Sequence, residues 1–221
     1  MNSKTQIINA EDAETVLIEI EKSLWLTFKN NELIHISNLG QLCDYVSEKM
    51  ELENVDDCTS QQSFYQIRNS ISGILNVNPK SIHPNSKLSK LIPRKNRRQF
   101  IKKLNEILGF DTNLLMISRP TFIFLLFSLV FSFILSFFYF VWGWISFGIF
   151  AVSLKIAYDF RKELKVKTVR ELTEKITREH YLECRRNPNT VNKSEIEKLV
   201  INSFNHYIGG SDNFTREAVF H

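Results

Sequence analysis

Glycine and cysteine are both scarce here, with seven and three copies in 221 residues, and each shortage closes off a class of function. No G-x-x-x-x-G-K run exists to cradle a phosphate, which excludes a nucleotide site of the P-loop kind. Cys43, Cys58 and Cys184 are odd in number, widely spaced and outside any C-x-x-C pattern. That spacing argues against a disulfide framework and a zinc site, and fits a reducing compartment. The five histidines (His35, His83, His180, His206 and His221) stand at no metal-ligand spacing from Cys, Asp or Glu, so no metal is expected. Paired carboxylates, and a serine or cysteine with a recognisable base, are missing as well, and the chain is expected not to be an enzyme. Cys184 beside Arg185 and Arg186 is the one thiol whose neighbours could lower its pKa; a plain surface cysteine is the competing reading. The opening MNSKTQIINAEDAE has no apolar core and turns acidic, unlike a secretory signal or transit peptide, which predicts a chain that starts inside the cell.

What the sequence does hold is phenylalanine, 18 copies, much of it in one run. Between Arg119 and Lys155 there is no charged residue. As one helix this run would be about 52 Å long, well beyond the roughly 30 Å of a bilayer's hydrocarbon. It must bend, and two helices near Phe122–Phe140 and Gly143–Ala157 would each just span. The turn is expected at Tyr139–Trp144, with Gly143 breaking the run and Tyr139, Trp142 and Trp144 suited to an interface. Arg94, Lys95, Arg97, Arg98, Lys102, Lys103 and Arg119 precede the run, and Lys155, Arg161, Lys162, Lys165 and Lys167 follow it. Positive charge on both flanks predicts an integral, two-pass membrane protein with both termini cytoplasmic. A buried soluble hairpin and a re-entrant loop are the alternatives.

The polar sequence is helical in pattern. Ala13, Val16, Leu17, Ile20, Leu24 and Phe28 make one apolar face over Asp12–Phe28. Leu39, Leu42, Cys43, Val46 and Met50 make another, capped by Ser37 or Asn38. Phe64, Ile67, Ile71, Ile74 and Leu75 mark a third, ended by a turn at Asn76–Pro79. Leu88 and Leu91 anchor the proline-bearing loop that follows, and a basic helix over about Arg94–Leu108 buries Phe100, Ile101, Leu104 and Leu108 before Gly109 closes it. Thr168-x-x-Glu171 and Ser194-x-x-Glu197 read as capping boxes, ahead of inward faces at Leu172 and Ile176 and at Ile196, Leu199, Val200 and Phe204. No strand is evident.

These segments resemble pieces of an acyl carrier protein. EDAETVLIEIEKSLWLTF (11–28) and ISNLGQLCDYV (36–46) are similar to the second and last helices of a carrier, without its first. The stretch 63–110 resembles the first helix, long loop and second helix of another unit. KTVRELTEKI (167–176) is similar to that unit's last helix, as if the hairpin were inserted ahead of it. The tail from Ser194 to His221 resembles one more first helix and the start of a loop. The matches touch most of the polar sequence, but as patterns of apolar positions and caps. In the family a serine carries phosphopantetheine. Here the motif position falls on Ala13 in the first unit and on Arg94 or Lys95 in the second, and neither residue type has a hydroxyl to form the phosphodiester. The resemblance therefore implies a degenerate carrier without the cofactor; modification at Ser89 or Ser37 would mean a different alignment.

The resulting expectation is an all-α fold of small acyl-carrier-like helical units plus a transmembrane helical hairpin. Its parts would be a partial unit at 1–50, a linker at 51–60, carrier-like helices with a basic second helix at 61–118, the hairpin at 119–158 and C-terminal helices at 159–221. The expected function is a non-catalytic scaffold that docks enzymes, or a genuine carrier, of lipid or acyl metabolism at the cytoplasmic face. A membrane interaction or regulatory protein unrelated to acyl transfer is the alternative. Glu14, Glu19 and Glu21 keep the acidic docking face in the first unit, whereas Arg94, Lys95, Arg97, Arg98, Lys102 and Lys103 in the second would prefer anionic lipid or an anionic partner, at about 1 kcal/mol per residue near a membrane surface. A solvated face that only sets topology is the competing reading of that basic run. Nucleic acid is not expected, since no aromatic residues interleave it. The unit lacking a first helix and the tail offering one could complete each other within a chain or in a homo-oligomer.

Overall fold

The computed structural model describes residues 6–29, 31–209 and 213–221. Residues 1–5 of the opening stretch read above, and residues 210–212 of the tail, lie outside the described residues. Ten helices follow one another among those described: α1 (Ala10–Leu24), α2 (Leu39–Lys49), α3 (Thr59–Leu75), α4 (Leu88–Leu91), α5 (Arg97–Leu108), α6 (Arg119–Phe138), α7 (Phe140–Asp159), α8 (Val169–Glu179), α9 (Tyr181–Cys184) and α10 (Lys193–Tyr207). Six two-residue strands join them: β1 (Ile7–Ile8), β2 (Glu53–Asn54), β3 (Leu115–Met116), β4 (Glu163–Leu164), β5 (Thr190–Val191) and β6 (Val219–Phe220). With 62% helix and 7% strand the class is all-α. The strands correct the expectation of none; at two residues each they are too short to show an alternating pattern.

The chain divides into two compact units, one of residues 1–68 and 172–221 and one of residues 69–171. In the first, α1, α2 and α10 pack together. Each contributes the apolar face expected from its spacing: Ala13, Val16, Ile20 and Leu24; Leu39, Leu42, Cys43, Val46 and Met50; Ile196, Leu199, Val200 and Phe204. The Asn38 side chain accepts from Gln41 N–H and so caps α2. α1 stops at Leu24, short of the expected Phe28, because Trp25 turns left-handed at φ 51° and donates its N–H to Glu21 O. α10 is capped by Asn192, which accepts from Ser194 N–H, rather than by Ser194 as the capping box suggested; Glu197 instead pairs with Arg216 at 2.8 Å.

Residues 213–221 run from α10 back to α1. β6 pairs in parallel with β1, and Ala10 N–H reaches His221 O at 3.1 Å. Leu39 N–H donates to Ala218 O and Gly40 N–H to Arg216 O, both at 2.8 Å. A Cβ on Gly40 would stand 3.1 Å from Arg216 O, so the small residue admits the tail. The 51–60 stretch, read as a linker, holds β2, which pairs in parallel with β5, and ends in the first turn of α3.

In the second unit Ile71, Ile82, Leu88, Ile92, Phe100, Ile101, Leu104, Leu108, Leu114 and Val169 are buried. Asn76, at φ 54°, ends α3 where the turn was expected. α5 begins three residues later than Arg94 and closes on Gly109 at φ 83°, the left-handed cap its position predicted. Thr168 Oγ1 accepts from Glu171 N–H at 3.2 Å, the first half of the expected capping box at the head of α8, while the Glu171 carboxylate accepts from Lys167 N–H, one residue ahead of the cap, at 2.8 Å. Lys87 and Thr168 form a β-bridge, and Leu88 N–H donates to Lys167 O at 2.9 Å.

α6 and α7 pack against each other as a hairpin. Both have 20 residues, with mean hydropathy of 2.5 and 1.6, and only 17% and 6% of their apolar windows are buried. A soluble core helix would be mostly covered, so these are two helices long and apolar enough to cross a membrane, about 30 Å each. The corner is Tyr139 alone. Gly143 does not break the run as expected; it lies inside α7, where a Cβ would fall 2.2 Å from Ser136 Cα. Its smallness lets the helices close beside the corner. At the base of the hairpin β3 and β4 pair antiparallel.

Candidate functional site

The basic residues singled out in the sequence have different fates. Arg97 is buried, and its spacing to Phe100, Ile101, Leu104 and Leu108 puts it on the inward face of α5. Its guanidinium donates to Ile92 O at 3.2 Å and to Lys162 O at 2.9 Å, so it fixes α5 to the segment leaving α7 and offers nothing to a ligand. Arg94 pairs with Glu163 at 2.7 Å. Arg98 is exposed and stacks over the Phe160 ring at 4.8 Å. Lys95, Lys102 and Lys103 are exposed, with Lys102 4.0 Å from Glu106.

Beyond the hairpin the same region continues. Arg161 lies over the Tyr158 ring at 4.1 Å and donates to Tyr158 O at 3.1 Å. Its Nε is buried without an acceptor. Phe160 and Tyr158 are 61% and 54% exposed, an aromatic pair at the end of an apolar helix where an interface belt would stand.

The positions aligned with a carrier's serine fall in different units. Ala13 is buried in the core of the first unit, one turn inside α1. Arg94 and Lys95 are exposed in the turn ahead of α5.

The first unit holds a polar assembly that the sequence did not reveal. Arg185 is buried, and its guanidinium meets Asp57 at 2.5 Å, Thr59 Oγ1 at 2.7 Å, Tyr181 OH at 3.2 Å and Thr190 Oγ1 at 3.1 Å. Tyr181 OH donates to Glu195 at 3.2 Å, and Glu195 accepts from Thr59 N–H at 3.1 Å. The donors of the cation are taken up by these partners, so the assembly pins residues 57–59 to α9, β5 and α10. Burial pushes the Tyr181 hydroxyl above its usual value. An adjoining cleft of about 690 Å³ is lined by Cys58, Arg178, Tyr181, Glu195, Lys198 and His206 among others. Burial, with Arg178 nearby, lowers the His206 pKa.

The Cys184 thiol is not activated by its arginine neighbours. It is buried, and desolvation raises it to about 12, while Arg185 is committed to Asp57 and the hydroxyls. Cys43 is raised to about 12 for the same reason. Only Cys58 is exposed. Among the described residues no group of three His, Cys, Asp or Glu could hold a metal ion. Comparison with protein-family models, with curated proteins and with solved structures gives no match for the chain.

Proposed function

We propose that this protein is a membrane-anchored, non-catalytic relative in build of the acyl carriers, which docks an enzyme or a genuine carrier of lipid or acyl metabolism at the cytoplasmic membrane face. The observation that carries the reading is the spatial order of the first unit. α10, the 213–221 segment, α1 and α2 follow one another as the first helix, loop, second helix and last helix of a carrier do, although the sequence presents them in another order. α3, the loop bearing α4, and α5 keep a carrier's sequence order, with α8 after the hairpin, although the division between the two compact units falls within α3 and within α8. The hairpin supplies the anchor, and positive flanks favour the cytoplasmic side for both of them.

No cofactor arm is part of the proposal, because Ala13, Arg94 and Lys95 offer no hydroxyl. Acidic α1 residues Glu14 and Glu19 give the first unit the charge that a basic enzyme face would meet. Two measurements test the reading. Intact mass after exposure to a phosphopantetheinyl transferase should be unchanged; a gain equal to the arm would make the chain an active carrier. Purification of the full chain in mild detergent should bring down a carrier or an acyl-metabolism enzyme. Recovery of neither would leave a membrane protein unrelated to acyl transfer.

A further inference from the structure

We infer that the head of α5 and the segment leaving α7 form one recognition site for the phosphate of an anionic phospholipid headgroup. The inference rests on the membrane reading of the hairpin and adds the lipid class that its base selects. Arg97 brings the two stretches together through Lys162 O at 2.9 Å, and Arg94 reinforces the junction through Glu163 at 2.7 Å. The juxtaposed residues 94–98 and 159–163 carry six cations against two carboxylates, Asp159 and Glu163. Glu163 is already shared by Arg94 and Arg97. Arg98, Arg161 and Lys162 have no carboxylate partner among the described residues.

The site is built rather than merely charged. Arg98 and Arg161 each place the guanidinium carbon over an exposed aromatic ring, Phe160 and Tyr158, at 4.8 and 4.1 Å from its centre. A cation over a ring keeps donors for a further acceptor, here the Arg98 fork and the Arg161 Nη that Tyr158 O does not take, and a guanidinium fork suits phosphate oxygens. The position favours a lipid as the source. Asp159 ends a 20-residue apolar helix, so when α6 and α7 occupy the hydrocarbon these residues stand at headgroup depth.

The test uses the full chain in mixed micelles of phosphatidylglycerol and phosphatidylcholine, with retained lipid counted by native mass spectrometry. Phosphatidylglycerol should be retained in preference. Arg98→Gln and Arg161→Gln should each reduce that preference by about fivefold, while Lys80→Gln and Lys90→Gln, equal in charge but elsewhere in the unit, should leave it unchanged. Equal retention of the two lipids, or an equal loss in the Lys80 and Lys90 variants, overturns the inference. Displacement of the lipid by excess inorganic phosphate also overturns it, since the site would then serve a soluble anion. Vesicle flotation after an alkaline wash separates the two claims. A chain that stays with the vesicles but shows no lipid preference refutes the site and keeps the anchor; a chain released by the wash refutes both.

Discussion

The two units of the molecule solve one problem in different ways. Each is a helical body whose sequence is interrupted, and each holds the two sides of its interruption together with a two-residue ladder. In the first unit, whose sequence breaks between residues 68 and 172, the ladder is parallel, β2 with β5, and it holds residues 53–54 beside residues 190–191. In the second it is antiparallel, β3 with β4, and it closes the base of the α6–α7 hairpin so that the chain re-enters the unit close to where it left. A short ladder contributes little by itself. Its worth is that it fixes where the ends lie, which lets a small bundle accept either a remote helix or a long insertion.

The strongest way to break this comparison is to attack one unit and watch the other. Phe204 is fully buried on α10, and Phe204→Ala should destabilise the first unit by about 3–5 kcal/mol. Hydrogen exchange read peptide by peptide should show lost protection in α1, α2 and α10, with α5 retaining its own. The mirror variant, Phe100→Ala, should do the reverse. If either change strips protection from both units alike, the two bodies are not separately closed.

A smaller effect is expected at the hairpin. A Cβ on Gly143 would lie 2.2 and 2.4 Å from the backbone Cα and N of Ser136, so Gly143→Ala should cost about 1–3 kcal/mol through overpacking. Unfolding of the micelle-bound chain by added dodecyl sulfate, followed by circular dichroism, would measure it. Because the collision is with backbone, a second change of Ser136→Gly should not restore stability. Rescue by that change would mean that the helices meet through side chains instead.

Much of this architecture was legible in the sequence because it is periodic. The inward faces of α1, α2, α5 and α10 follow three- and four-residue steps, and Gly109 and Thr168 announced their helix ends by residue type. What escaped was set by partners far along the chain. Glu53–Asn54 is too short and polar to read as a strand, and it pairs only because β5 lies beside it. Ser194 and Glu197 have the spacing of a box, yet Asn192 takes the cap and Arg216 takes the carboxylate. Gly143 resembles a helix breaker until Ser136 is placed against it. For the candidate site the spacing itself carries the signal. Arg97 stands three and four residues before Phe100 and Ile101, which already marks it as inward while Arg98 faces out. The Arg185 assembly had no such signal, since its partners are spread from Asp57 to Glu195.

The smallest expected effect sharpens the comparison from the acid side. Glu32, between α1 and α2, accepts from Lys49 Nζ at 2.5 Å and from Lys29 N–H at 2.6 Å. Those bonds, that to Lys49 first, hold its carboxyl at about 2, below the ordinary 4.5. Because the folded value lies below the unfolded one, the contribution is complete above about pH 4.5 and is lost as pH falls toward 2. Glu32→Gln should therefore make the first unit less sensitive to acid across that window and leave the second unit's acid response unchanged. Unfolding midpoints of both units at pH 6 and at pH 3, again resolved by hydrogen exchange, are the measurement. The difference between the two pH values should shrink in the variant for the first unit alone. An unchanged difference would mean that the Glu32 pair persists in the unfolded chain or never forms, and that acid acts on this unit through other groups, the Arg216 pairs with Asp44 and Glu197 being next in line because they hold the tail to α2 and α10.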